Sequence, residues 1–171
     1  RERLLRMRKL LDEHSSTLAA AVQADFGVRS VRLTEVADLL VLRTLLSHTL
    51  SNLARWSKPQ KVRTPIHLQP ARARIQRQPL GVVGVIAPWN YPIQLALAPA
   101  ITALAAGNRV MVKPSELTPH TSAQLALLVA QFFAPDEVCV VQGDAAVASA
   151  FAALPFDHLV FTGSTAVGRK V

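Results

Sequence analysis

The chain has 171 residues, of which 50% are hydrophobic and 18% are charged, and only one is a cysteine. This composition excludes a disordered chain, a disulfide-rich scaffold and a metal site built from several thiolates. The longest nearly apolar stretch, residues 93–107, is shorter than the ~20 residues of a membrane-spanning helix, so no membrane segment is expected. The chain starts at Arg1 and has no signal-peptide pattern, so we expect a fragment of a longer, cytoplasmic protein.

The net charge of +8 is unevenly distributed along the chain. Residues 39–115 contain ten basic residues and no acidic one, and seven of the ten lie between Arg55 and Arg77. Such a stretch attracts polyanions, and a non-catalytic polyanion-binding module is therefore one hypothesis. Aromatic residues do not alternate with these charges, as stacking on bases requires, so we expect no nucleic-acid partner.

Residues 1–58 are predicted to be helices that pack on the rest of the protein. Apolar residues recur at steps of three and four from Leu4 to Val22, which predicts one helix ending before Gly27. A second run from Leu39 to Trp56 predicts another helix, which ends at Lys58-Pro59. Neither helix carries a catalytic constellation.

Residues 59–80 contain four prolines, which exclude a helix through this segment. Apolar and polar residues alternate in 66–68 and in 73–76. This pattern predicts two short exposed strands, an edge pair of the kind used in oligomerisation.

From Gly81 to Val171, short apolar runs alternate with helical patterns. This alternation predicts an α/β fold with a parallel sheet, in a Rossmann-like doubly wound layout that follows the N-terminal helical segment. The predicted strands are 81–87, 109–112, 138–141 and 158–161, and the predicted helices are 94–106, 118–133, 145–154 and one that begins at Ser164.

Ligands of parallel sheets bind beyond the carboxyl ends of the strands, so the residues after each strand are the candidate site. Asn90 stands in a turn between two prolines, and its amide NH2 is a suitable oxyanion donor, although a turn asparagine is equally consistent. Lys113 and Glu116 are suited to ribose hydroxyls or a phosphate, or form a solvated charge pair. Gly163 and Ser164 stand at the start of a predicted helix, where they form either an anion-binding site or an ordinary N-cap.

Two other residue types carry no predicted function. Cys139 lies in the middle of a predicted strand and is interpreted as a structural thiol, because free cysteines are among the most buried residues. The five histidines show no metal-ligand spacing, so no metal is expected.

Three motifs together resemble the aldehyde dehydrogenase superfamily: residues 79–92, 105–116 and 161–168. They occur in the family's order and at its spacing, and the resemblance extends over essentially the whole chain. Phe156-Asp157-His158 and the short loop after Gly143 are similar to the class 3, or coniferyl aldehyde dehydrogenase, branch. Ala166 stands where many members carry a glutamate.

The resemblance implies a role for each matching residue. Asn90 matches the oxyanion-hole asparagine, and the expected cofactor contacts fall into groups along the dinucleotide. On the nicotinamide side these contacts are Ile86, Ala87, Pro88 and Trp89, and around the adenosine ribose they are Lys113, Ser115 and Glu116. Gly163 and Ser164 match the turn near the pyrophosphate, and Gly143 lies in another neighbouring turn. Val167 matches the apolar contact to adenine.

The resemblance also implies an oxidoreductase that uses NAD, or NADP, to oxidise an unspecified aldehyde to a carboxylic acid through a cysteine thioester. A homodimer or larger homo-oligomer is implied as well. The family's catalytic cysteine and glutamate motifs normally follow the last motif found here, so the chain is expected to be inert alone. An alternative is an acyl-phosphate or acyl-CoA reductase on the same fold, although such enzymes generally depart from the motifs at 89–92 and 113–116.

Overall fold

The computed structural model describes residues 1–171 and begins with a helical lead-in. Helix α1 (Glu2–Glu13) and helix α2 (Ser15–Phe26) replace the single helix that the periodicity predicted. The break lies at His14, which leaves helical geometry (φ −120°, ψ 18°). Apolar periodicity does not reveal this break, because Leu11 and Leu18 remain buried on either side of it.

The second helical stretch starts earlier than predicted. Helix α3 (Val31–Thr34) continues through a π-helical segment (Glu35–Leu40) into helix α4 (Val41–Trp56). The side chain of Ser30 caps the start by accepting a hydrogen bond from Leu33 N at 3.2 Å. Apolar periodicity did not reveal this part, because its buried residues include the polar Thr34 and Asp38 while Val31, Leu33 and Val36 are exposed.

Residues 59–80 form a small exposed hairpin. Strands β1 (Gln60–Val62) and β2 (Ala73–Ile75) pair antiparallel in a two-stranded sheet of their own. The prediction of a strand at 66–68 is wrong, since Ile66–Leu68 is a 3₁₀ turn closed by a hydrogen bond from Leu68 N to Pro65 O.

The rest of the chain builds the main sheet and its helices. Four parallel strands lie in the order β5-β4-β3-β6, which confirms the predicted Rossmann-like α/β layout. The strands are β3 (Val82–Ile86), β4 (Arg109–Lys113), β5 (Val138–Val140) and β6 (His158–Phe161). The helices between and after them are α5 (Pro92–Ala105), α6 (Pro119–Phe132), α7 (Ala145–Ala152) and α8 (Thr165–Gly168).

The sheet order creates a topological switch point. The chain moves outward from β3 to β4 and β5, and then returns to place β6 on the other side of β3. The loops that leave β3 and β6 therefore diverge at the carboxyl edge of the sheet, which opens a crevice between them.

The lead-in helices share one hydrophobic core with one face of the sheet. Buried residues of α1, α2, α4, α5 and α6 join those of β3, β4 and β5 in a single cluster. Arg6 of α1 adds a forked ion pair to Glu137, at 2.7 and 2.6 Å, next to β5. This hydrogen bonding lowers the pKa of Glu137. None of the helices is both long enough and apolar enough to cross a membrane.

Candidate functional site

A cavity of about 500 Å³ lies at the switch point. Its walls come from the segments after β3, β4 and β6 and from one face of α7. The predicted cofactor residues that line it are Ile86, Ala87, Pro88, Trp89, Lys113, Ser115, Glu116, Gly163, Ser164 and Val167. Residues that sequence reasoning drew from three separate loops are therefore neighbours around one space.

Lys113 is the buried charge of this cavity. It is the last residue of β4, opposite Ile86 of β3, and its side chain is only 2% exposed. Its Nζ donates to Pro114 O at 2.8 Å and lies 3.5 Å from Glu116 Oε2. An ammonium group has three N–H donors, so Lys113 keeps capacity to bind a ligand oxygen.

The turn that follows β4 is held by its own hydrogen bonds. Ser115 Oγ accepts from Leu117 N at 3.2 Å, and Ser115 O accepts from Thr118 Oγ1 at 3.3 Å and from Ser122 Oγ at 2.9 Å. These bonds leave the carboxylate of Glu116 at the cavity rim, where its side chain is 45% exposed.

On the far side of the cavity, Ser164 is the N-cap of α8, and its Oγ accepts from Val167 N at 3.3 Å. Because α8 has only four residues, its macrodipole is small, and any anion binding here depends on backbone N–H groups of the turn.

Asn90 lies in a second hollow, of about 380 Å³, which adjoins the first. Pro88, Trp89 and Gly163 belong to the walls of both spaces. The hydrogen bond that Asn90 receives goes to its backbone carbonyl, from Arg29 Nη1 at 2.6 Å, so its carboxamide NH2 remains a donor for a ligand. The structure therefore places a candidate oxyanion donor beside the predicted nicotinamide end.

Gly143 does not line the main cavity. It borders a separate hollow of about 210 Å³ on the other side of Ser115 and Glu116. Its φ is 147°, and a Cβ there would lie 2.5 Å from Val147 Cγ2. Glycine is therefore required so that α7 begins close to the preceding loop, which is a structural reason for this residue.

Sequence reasoning missed the wall that α7 contributes. Ala145, Ala148, Ser149 and Ala152 line the cavity at helical spacing. The sequence did contain a signal for this wall, because one face of the predicted helix carries only small residues. Such a face leaves space for a ligand beside the end of a strand. The lining also includes Phe161 and Thr162, which belong to the motif at 161–168 but were given no role, and Leu117, Lys170 and Val171, which were missed.

The remaining reactive residues lie elsewhere. Cys139 is half-buried on β5, and burial raises the pKa of its thiol, whereas a nucleophilic cysteine needs a lowered pKa. No three His, Cys, Asp or Glu side chains are grouped so that they could hold a metal ion.

The strand order and the switch-point cavity define a Rossmann-like α/β protein, a class that binds ligands at this position. A family model described as the aldehyde dehydrogenase family matches residues 1–171. The chain belongs to the aldehyde dehydrogenase family.

Individual relatives agree with this assignment. The chain is 47% identical over 169 residues to coniferyl aldehyde dehydrogenase of a Pseudomonas species, which covers 99% of this chain and 35% of the relative. The predicted similarity to the coniferyl aldehyde dehydrogenase branch is thereby confirmed. The chain spans about a third of the length of the relatives that it matches.

Solved structures share the fold. AldH of Staphylococcus aureus in a substrate-bound state is 32% identical, with a TM-score of 0.95 over 98% of this chain and 36% of AldH. PnpE of a Pseudomonas species in complex with nicotinamide adenine dinucleotide is 28% identical, with a TM-score of 0.82 over 98% of this chain and 34% of PnpE.

Proposed function

We propose that the protein carrying this chain oxidises an aldehyde to a carboxylic acid with NAD(P), and that these residues supply its cofactor cavity and oxyanion donor. The observation that carries the proposal is the convergence of the predicted cofactor residues on one switch-point cavity. Membership of the aldehyde dehydrogenase family supports the reaction class.

The residues of the cavity fit a dinucleotide. The Lys113 ammonium is buried at the cavity wall, and its one remaining N–H donor suits a ribose hydroxyl. Glu116, at the rim, suits a hydroxyl that donates to its carboxylate. Val167 and the small side chains of α7 leave an apolar slot for a flat base. The NAD complex of PnpE supports the same class of cofactor for this fold.

The nicotinamide of the bound cofactor supplies the hydride acceptor. Pro88 and Trp89 line both adjoining hollows, and Asn90 lines the smaller one. The Asn90 NH2 then donates to the oxygen that gains negative charge when the aldehyde carbonyl is attacked. One such donor commonly contributes ~3 kcal/mol to transition-state stabilisation.

The proposal is tested with the full-length gene product that carries this chain. We expect NADH formation that depends on an aldehyde, measured with coniferyl aldehyde and an aliphatic aldehyde. Asn90→Ala should lower kcat by roughly 10²–10³-fold with little change in the KM for NAD. Asn52→Ala is the control, because Asn52 lies on α4, where its side chain donates to His48 O and accepts from Arg55.

Other outcomes contradict the proposal. If no aldehyde supports NADH formation, the reaction class is wrong. If turnover requires coenzyme A or inorganic phosphate, the protein is an acyl-CoA or acyl-phosphate reductase. If Asn90→Ala has full activity, Asn90 is not the oxyanion donor.

We also propose a separate role for each of the three predicted segments of the chain. Residues 1–58 would support the cofactor part at 81–171, and the hairpin within 59–80 would join copies of the protein into a dimer or larger homo-oligomer. Light scattering of the gene product with and without the hairpin tests the second statement. The cytoplasmic location stays a prediction, and cell fractionation tests it.

A further inference from the structure

Arg29 is a buried arginine outside the cofactor cavity. It lies in the turn between α2 and α3, and its side chain is 8% exposed. Its guanidinium carbon lies 5.0 Å from the centroid of the Phe26 ring and 5.0 Å from that of Tyr91. Two aromatic rings thus fix the plane of the guanidinium, and one of them belongs to the residue that follows Asn90.

The guanidinium joins two groups that face the start of α5. Nη1 donates to Asn90 O at 2.6 Å, and Nη2 donates to Asp38 Oδ2 at 3.1 Å. The other carboxylate oxygen of Asp38 accepts from Gln94 N at 2.9 Å. The pair therefore holds the turn of Asn90 and the first turn of α5 at the same time.

Helix α5 needs this support because it has no cap of its own. Its N-cap residue is Tyr91, whose side chain makes no capping hydrogen bond, and Pro92 has no N–H. Free N–H groups at a helix start are usually satisfied by a neighbouring side chain. Here the carboxylate of Asp38, which lies in another helix, accepts the hydrogen bond from an N–H group at the start of α5. Asp38 belongs to the π-helical segment, and such segments are frequent at functional sites.

The buried Arg29–Asp38 ion pair is a poor way to stabilise the fold alone. Asp38 is fully buried, and a buried ion pair is often no more stabilising than apolar residues of similar volume. Arg29 Nε has no hydrogen-bond partner, so the pairing does not satisfy the arginine completely. What the pair does achieve is a fixed position for the backbone of Asn90.

We propose that Arg29 and Asp38 are positioning residues that hold the backbone of Asn90, which lines the hollow beside Trp89 and Gly163, in place. The inference rests on the proposed function, because it assumes that Asn90 donates to the reacting oxygen. The lead-in helices thereby act on the reaction through the Asn90 backbone, without touching substrate or cofactor.

The test is a mutant cycle in the full-length gene product. Arg29→Lys keeps the charge but loses the fork that joins two acceptors. We expect it to lower kcat roughly 5- to 50-fold, since small misplacements of a reacting group have effects of this order. The KM for NAD should change less than about twofold, because Arg29 lies outside the cofactor cavity.

The second arm of the cycle separates positioning from general damage. If Arg29 acts through Asn90, Arg29→Lys should have little further effect on kcat in the Asn90→Ala background. Amide hydrogen exchange of residues 88–95 should also accelerate in Arg29→Lys. Arg6→Lys is the matched control, because Arg6 also forks a carboxylate but at Glu137, and it should leave kcat and this exchange unchanged.

Each other result has a definite meaning. An equal loss of kcat in both backgrounds, or no loss in either, overturns the positioning role while the proposed function stands. An Asn90→Ala enzyme with unchanged kcat shows that Asn90 is not the oxyanion donor and overturns the positioning role with it, while aldehyde oxidation itself stands; absence of aldehyde-dependent NADH formation in the wild type overturns the proposed function. If Arg29→Lys does not fold, Asp38→Asn replaces it in the same cycle, and failure of both variants to fold shows that the pair is structural only.

Discussion

At the scale of single residues, the switch-point cavity combines a buried cation with a carboxylate at its rim. Lys113 Nζ lies 3.5 Å from Glu116 Oε2, and the two side chains differ strongly in exposure. A lysine can bond ribose hydroxyls or a 2′-phosphate, so Lys113 alone permits both NAD and NADP. Glu116 is therefore the residue expected to discriminate.

We expect the enzyme to prefer NAD, with NADP tolerated. A carboxylate accepts a hydrogen bond from the ribose 2′-hydroxyl and repels a phosphate at that place. Glu116→Gln should narrow the ratio of kcat/KM for NAD over NADP by about 5-fold, the equivalent of ~1 kcal/mol of repulsion, mainly through better NADP binding.

The control for this comparison is Glu13→Gln, which removes an exposed carboxylate paired with Lys9 on α1. Its cofactor ratio should equal that of the wild type. A wild-type preference for NADP, or an unchanged ratio in Glu116→Gln, would show that Glu116 is not the discriminating residue.

At the scale of elements, α7 shapes the cavity through the small size of the side chains that it presents. Ala145, Ala148, Ser149 and Ala152 form a face of small residues, and the helix is positioned by Asp144, whose carboxylate accepts from Ala146 N and Val147 N. The space beside the strand ends thus depends on the small size of these residues rather than on any polar contact.

Filling this space should weaken cofactor binding without unfolding the protein. Ala148→Leu places a larger side chain in the cavity, and we expect the Kd for NAD, measured by calorimetry, to rise at least roughly tenfold, because the bulk occludes a largely preformed site. Ala150→Leu is the matched control, since Ala150 is exposed on the same helix and does not line the cavity. Unchanged affinity in Ala148→Leu would mean that the cofactor does not reach α7.

Elements differ in how well the sequence predicted them. The strands of the main sheet were found because each is a short apolar run followed by Gly, Pro or a polar turn, and parallel strands bring those turns to one edge. The turn residues Asn90, Lys113 and Gly163 could be predicted for that reason. The hairpin strand β1 was missed because all three residues of Gln60–Val62 are exposed and the segment has no apolar alternation.

The contacts that cross between elements could not be predicted. Nothing in the local sequence connects Arg29 to Asn90, which are 61 positions apart. Asp38 lies outside the helix predicted from Leu39 onward, and its partners Arg29 and Gln94 are brought to it only by the packing of the helices.

At the scale of the whole molecule, two surfaces are candidates for ligand binding, and each supports a different function. One is the switch-point cavity, which gathers the residues of three family motifs. The other is the hairpin with its flanks, where basic residues such as Lys61 and Arg74 lie side by side on exposed strands with no acidic residue in the segment. The first supports a cofactor-binding enzyme, and the second is the basis of the polyanion-binding hypothesis.

Hydrogen–deuterium exchange of the gene product with and without NAD tests the central claim most directly, because it locates the cofactor on the chain. We expect NAD to slow amide exchange in residues 86–90, 113–117 and 162–167, the segments that meet at the switch point, and to leave residues 58–77 unchanged. Absence of protection in those three segments, or protection confined to the basic hairpin, would contradict the assignment of the cofactor site.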